Sequence, residues 1–446
     1  MPVVARALAV LTTLLLSAAT QAATVQAQAP RGAVVGAPDG LATMPHARPA
    51  PRARAAQASA TDPRIAEQWA LQGDGPMGAA SAWRQTTGGD VRVAIIDSGV
   101  DLGHPDLAPN LWTNPGEIPG NGIDDDGNGF VDDVHGYDFV DGDGNPQDLN
   151  GHGTHVAGIV AARGGNGLGV AGVAWSAQLM AIRVLDADAR GTTTGVAQGI
   201  RYAVDNGARI INLSLAGPTP TQELEDAVGY ARSHGVLIVA AAGNDGRDLA
   251  STPTYPAAFG EDNVLGVSAT TPDGGLSSVS DYGTGADLAA PGQDILSTAL
   301  GGGYEWRTGT SMAAPQVTGA LVLLAAARPD LDWQGLRDAL LAGTRRDGLP
   351  VQTGALDVGA ALRAVIPAVA WRDAPAPATL RSSSAAPARR TAARTAKANS
   401  TAKVKAKAKA VRAKKARARR AKKARARKAA ARRAATSARP RRITRA

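Results

Sequence analysis

The pattern of apolar and polar positions divides the chain at two places. From residue 61 to about residue 367, short β-branched runs alternate with segments of helical spacing, and outside those limits the pattern is lost. Residues 91–96 (VRVAII) read as a strand buried on both faces that ends at Asp97. Similar runs recur at residues 209–213 (RIINL), 236–240 (VLIVA) and 264–267 (VLGV). Between them, residues 199–206 and 224–233 carry helical spacing, with Leu224, Ala227, Val228 and Ala231 on one face, and a last helix is predicted around residues 358–365. This alternation predicts an α/β fold, a doubly wound, mostly parallel sheet with helices on both faces. In such sheets reactive groups gather at the carboxyl ends of strands, where Asp97 is expected to sit.

The segments outside the pattern read differently. Residues 1–23 have the form of a signal peptide: one charge at Arg6, an apolar run over residues 7–16, then small residues including Ala22 and Ala23, with cleavage expected between Ala22 and Ala29. The apolar run is too short to span a bilayer. A secreted or extracytoplasmic protein with no integral membrane segment in its mature form is therefore expected. Residues 24–61, rich in Ala, Pro, Arg and Gln, form a linker or short pro-region that cannot bury a core. Residues 62–369 make the globular domain, expected to be a monomer, and residues 370–446 a low-complexity Lys/Arg/Ala tail expected to be disordered.

Charge sharpens this division. The net +9 conceals two unlike regions: residues 381–446 hold 26 Lys and Arg and no acid, while the first 380 residues hold 22 basic and 39 acidic groups, a net of −17. Every lysine lies in the tail, from Lys397 onward. A polycation without aromatics can bind nucleic acid non-specifically, the anionic cell envelope, or an acidic protein surface, or it can be a solvated tail removed in maturation. The absence of cysteine excludes disulfides, a zinc ribbon, an iron–sulfur cluster and a thiol nucleophile.

Three segments place a reactive side chain among glycines or small residues: Asp97 in IIDSGVD, His152 in NGHGTHVAG and Ser311 in GTSMAAP. A fourth, AAAGN, ends at Asn244. In this order the segments resemble the subtilisin-like serine proteases (peptidase family S8), and the resemblance covers residues 62–366. It implies a serine endopeptidase with catalytic Asp97, His152 and Ser311, an acyl-enzyme intermediate, and Asn244 in the oxyanion hole. The chemistry is coherent: a serine hydroxyl needs an imidazole to take its proton, and the imidazole needs an anion on its other nitrogen. Pro315 is expected within the first turn of a helix that starts near Ser311. His155, three residues after His152, reads as a packed structural histidine, since no Glu completes an H-E-x-x-H zinc motif.

The resemblance also implies a groove in which peptide or protein substrates add as a strand along Ser214, Leu215, Ala216 and Gly217, with an S1 pocket walled by Ala240 to Gly243 and Ala216 and with Thr254 near its base. No acid is evident on that wall, so broad specificity with an apolar P1 preference is expected. The competing reading is a polyanion- or envelope-binding protein in which the tail carries the main role.

Two structural calcium sites are expected. Asp124, Asp126, Asn128, Asp132 and Asp133 place oxygen ligands in a pattern like the first half of an EF-hand loop, with His135 where its closing Glu would stand. The second site rests on family resemblance alone: Asp62, Asp106 and Asn166, with the carbonyls of Leu168 and Val170.

Overall fold

The computed structural model describes residues 34–36 and 62–371. The signal-peptide and tail readings lie outside the described residues, as does the linker apart from β1 (Val34–Gly36). That strand pairs antiparallel with β5 (Arg190–Thr192).

The centre is a seven-stranded parallel sheet. Its order is β3 (Gly136–Asp138), β4 (Ser176–Arg183), β2 (Gly88–Asp97), β6 (Ile210–Leu213), β7 (Leu237–Ala241), β8 (Val264–Thr270) and β9 (Leu288–Pro291). The runs predicted as strands are β2, β6, β7 and β8. Their continuous apolar character follows from burial on both faces. Along β2, Val93 and Ile95 enter one core while Ala94 and Ile96 enter the other, and Leu237, Val239 and Ala241 of β7 alternate with Ile238 and Ala240 in the same way.

One core is closed by α2 (His152–Ala161), α5 (Thr310–Ala327), α6 (Trp333–Ala342) and α7 (Val358–Val365), with α1 (Ala79–Gln85) beside α7. The other is closed by α3 (Thr193–Asp205) and α4 (Gln222–Ser233), whose N-termini are capped by the hydroxyls of Thr192 and Thr221. α5 is long and apolar enough to cross a membrane, but here it is the central core helix, buried over Thr310 to Ala325 and packed against β2 and β6–β9. Outside the sheet, β10 (Ile295–Ala299) and β11 (Gly303–Arg307) form an antiparallel hairpin, and β10 packs on α2.

The two-sided sheet thus matches expectation. β4 was not anticipated, because Ser176, Gln178 and Arg183 interrupt its apolar run.

Candidate active site

Asp97 ends β2, and the chain turns at Ser98. Both are fully buried. The Ser98 N–H donates to Asp97 Oδ1 at 2.7 Å, and the same oxygen lies 2.7 Å from His152 Nδ1. His152 is the first residue of α2 and is likewise fully buried. Its Nε2 has no hydrogen-bond partner among the described residues. An unsatisfied buried nitrogen is costly and calls for an explanation.

Asp148, absent from the sequence reading, organises this end of α2. Its buried carboxylate accepts five hydrogen bonds: from Ser98 Oγ (2.9 Å), the N–H groups of Asn150 and Gly151 (2.8 Å each), and the N–H and hydroxyl of Thr154 (2.9 and 2.6 Å). Ser98 Oγ in turn accepts from Gly153 N–H at 3.0 Å. The carboxylate neutralises the exposed N–H groups and positive dipole end of the helix that carries His152. Its signal was present as an acid four residues before the histidine.

Ser311 lies in the first turn of α5, 2% exposed. Its hydroxyl donates to the Ser214 carbonyl at 3.1 Å, and the Ser214 hydroxyl donates back to the Ser311 carbonyl at 2.9 Å. The reason for the second bond is Pro315, and here the sequence expectation needs correcting. The helix begins at Thr310, so Pro315 falls in its second turn, where an N–H at 315 would have bonded the Ser311 carbonyl. Ser214 satisfies that carbonyl instead.

Asn244 is oriented by Thr310, another residue the sequence reading passed over: Asn244 Oδ1 accepts from the Thr310 N–H (2.8 Å) and hydroxyl (2.9 Å). With its oxygen committed, the amide nitrogen faces Gly309, where a Cβ would stand 2.9 Å from it. Glycine there keeps the nitrogen open. An amide donor, a helix N-terminus, a hydroxyl and a buried histidine–carboxylate pair therefore meet at the carboxyl ends of adjacent strands. Together they can remove a proton and stabilise an oxyanion.

The chain matches the subtilase family model over residues 88–358. This protein belongs to the subtilase family. It is 45% identical over 245 residues to the Thermophilic serine proteinase of Bacillus sp. (strain AK1), a match spanning 55% of this chain and only about half (54%) of that protein. It is 43% identical to Thermitase of Thermoactinomyces vulgaris, over 55% of this chain and 79% of that one. Its structure resembles a protease of Pseudoalteromonas arctica PAMC 21717, with a TM-score of 0.58 and 31% identity over 68% of this chain and 98% of the other. The described domain is that of a subtilisin-like serine endopeptidase.

Within the subtilase domain the anticipated groove residues separate. Ala216 is half-buried, but Leu215 and Ala240 turn their side chains into the core behind the sheet and offer none to a groove. Gly217 exchanges both backbone hydrogen bonds with Tyr255 (3.0 and 2.8 Å), so its N–H and carbonyl are already used. Gly243 has Thr254 beside it, and Thr254 donates its hydroxyl to the Ala242 carbonyl. An acid does stand behind this wall, contrary to expectation. A Cβ on Gly243 would meet Asp281 Oδ2, but Asp281 is 1% exposed and its Oδ1 accepts from the N–H groups of Asp245 and Arg247. Burial raises its pKa.

His155 is the packed histidine expected. Its Nε2 lies 3.2 Å from the Glu305 carbonyl, and burial, reinforced by the charge of Arg307, holds its pKa well below 6.5.

The acidic loop departs from the EF-hand pattern. Asp124 and Asp126 converge with Glu117, which the sequence reading missed, with ligand atoms within 4.8 Å of one another. Asn128 donates to Asp126 and Asp133. Asp132 instead accepts from the N–H groups of Gly120, Asn121 and Gly122. Asp133 turns inward to Asn114, Asn128 and the Tyr202 hydroxyl, and burial raises its pKa. Asp132 and Asp133 thus brace the loop from within and do not join the cluster. At the second predicted site the distant residues do meet. Asp62 accepts from the N–H groups of Gly165, Asn166 and Gly167, while Asp106 accepts from the Asn166 amide, Val170 N–H and the Tyr304 hydroxyl.

Proposed function

We propose that this subtilase is a secreted endopeptidase in which Asp97, His152 and Ser311 act as a catalytic triad. Ser311 attacks the peptide carbonyl as His152 takes its proton, Asp97 holds the imidazole and steadies its positive charge, and Asn244 binds the oxyanion of the tetrahedral intermediate. His152 then protonates the departing amine, and water releases the acyl group by the same route. The observation that carries this reading is the buried 2.7 Å contact between Asp97 and His152, which leaves the other imidazole nitrogen without a partner among the described residues. The apolar P1 preference follows from a wall at Gly243 and Thr254, with Asp281 held back by the loop behind it. Secretion is read from residues 1–23.

The deciding experiment is casein hydrolysis by the full chain and by Ser311→Ala, each with and without a serine-directed sulfonyl fluoride. Activity lost in the variant and blocked by the inhibitor is expected, and full activity in Ser311→Ala would overturn the triad. A peptide-library profile dominated by Lys or Arg at P1 would overturn the specificity.

We also propose structural calcium. Asp62 and Asp106 are buried carboxylates linked through Asn166, whose backbone N–H and side-chain amide donate to them, and Glu117, Asp124 and Asp126 form a second, more open group. A cation at the first site would tie the start of the domain to the turn after α2, a role disulfides cannot fill in a chain without cysteine. Addition of EDTA is expected to lower the melting temperature, and an unchanged melting curve would count against both sites.

A further inference from the structure

The surface bordering the glycine ahead of His152 has a chemistry that the triad does not use. A Cβ on Gly151 would lie 3.2 Å from Arg307 Nη2 and 3.3 Å from Leu300 Cγ, so a guanidinium and an isobutyl group border the residue before the candidate base. Both come from the β10–β11 hairpin: Leu300 lies just past β10, 40% exposed, and Arg307 ends β11, four residues before Ser311. Leu149, two residues before Gly151, is 56% exposed. The Arg307 side chain is largely buried, and its Nε and Nη2 both reach a single oxygen of Glu305, at 2.8 and 2.7 Å. Its Nη1 has no acceptor among the described residues.

The topology says which half of a substrate meets this surface. The acyl half belongs with Ser214 after β6 and Gly243 after β7, neighbouring strands on one flank of the Ser311 helix end. The leaving amine must face His152 Nε2, which gives it a proton. The chain attached to that amine therefore departs past Gly151, toward the hairpin.

We propose that Leu149, Leu300 and Arg307 form a leaving-group subsite that selects an apolar residue followed by an acidic one immediately after the scissile bond. The proposal rests on the triad reading above. The cation is notable in a region that carries −17 over its first 380 residues, because elsewhere such a surface repels carboxylates. Arg307 is the specificity residue, and the leucines supply the apolar shelf.

The subsite can be read through the reverse of its own step. An ester with an apolar acyl group forms the acyl-enzyme, which partitions between water and an added dipeptide amide. The amine nitrogen bonds the acyl carbon and gives its proton to His152, while the Ser311 C–O bond breaks and Oγ takes a proton back. Both acceptors compete for one intermediate, so the ratio of aminolysis to hydrolysis is internal to each protein and independent of its turnover. At low salt the full chain is expected to capture Leu-Asp amide about fivefold better than Leu-Lys amide, the size of a partly exposed ion pair. Arg307→Lys keeps the preference, Arg307→Gln levels it, Arg307→Glu inverts it, and Leu300→Ser lowers capture of Leu-Asp amide relative to Gly-Asp amide. No preference at low salt, or the same preference in the Gln and Glu variants, overturns the proposal. Should those variants fail to fold, the unaltered chain decides the matter: a charge-based preference shrinks on raising salt to about 0.5 M, and one that stays constant overturns it. Failure of the triad reading shows itself separately, as no ester turnover in the unaltered chain, and takes this proposal with it.

Discussion

Two helix N-termini carry His152 and Ser311, and they are finished in opposite ways. The start of α2, which carries His152, is closed by the buried carboxylate of Asp148 with its five hydrogen bonds. The start of α5, which carries Ser311, has no acid in its first turn; its Thr310 N–H goes to the neutral oxygen of Asn244. A base needs a fixed imidazole, and an anion beneath its helix does no harm. A nucleophile whose attack creates an oxyanion needs the positive end of its helix left free. On the triad reading, the same backbone feature is consumed as scaffold in one place and kept for chemistry in the other.

The contrast can be broken from the open end first. Asn244→Ala is expected to lower kcat by about 10²–10³ with little change in KM, the loss typical of an oxyanion donor in this enzyme class. Steady-state kinetics on a peptide substrate checks this. An equal loss in Thr310→Val would show that the hydroxyl, beyond the backbone N–H, sets the amide orientation. Breaking the closed end should act on stability. Asp148→Ala leaves two buried hydroxyls and three N–H groups unpaired and is expected to cost about 3 kcal/mol in denaturant unfolding. A variant as stable as the parent would mean that the carboxylate does not hold α2. The smallest effect concerns His155, inside α2. Its folded pKa lies below its unfolded value, so the unfolded chain binds the extra proton first, and stability falls as pH drops below about 6.5. His155→Gln should flatten that limb by up to about 1.4 kcal/mol per pH unit, and an unchanged slope in melting curves would show that other groups set it.

The two ends also differ in how far they could be read from sequence. Continuous apolar runs located four of the seven parallel strands, because burial on both faces leaves that trace, and helical spacing located α3, α4 and α7. Asp97, His152, Ser311 and Asn244 stood out through their glycine settings. Asp148 and Thr310 did not, since an Asp before a helix and a Thr beside a Ser look like ordinary capping residues until the partners they serve are in place. The acidic loop differs from its spacing for a related reason. Spacing alone treats Asp132 and Asp133 like Asp124 and Asp126, whereas the chain folds the first pair onto its own N–H, amide and phenol donors and brings in Glu117 from seven residues before Asp124. The inward direction of Leu215 and Ala240 was already implicit in strand alternation, and the family's groove pattern obscured it.

Pro315 also reaches beyond the helix that contains it. By withholding one N–H it frees the Ser311 carbonyl, and the two serines, 311 and 214, close a ring in which each hydroxyl rests on the other's carbonyl. The Ser311 hydroxyl is thus held on a backbone oxygen. The imino acid that makes room for this mutual pair lies a full helical turn downstream of Ser311.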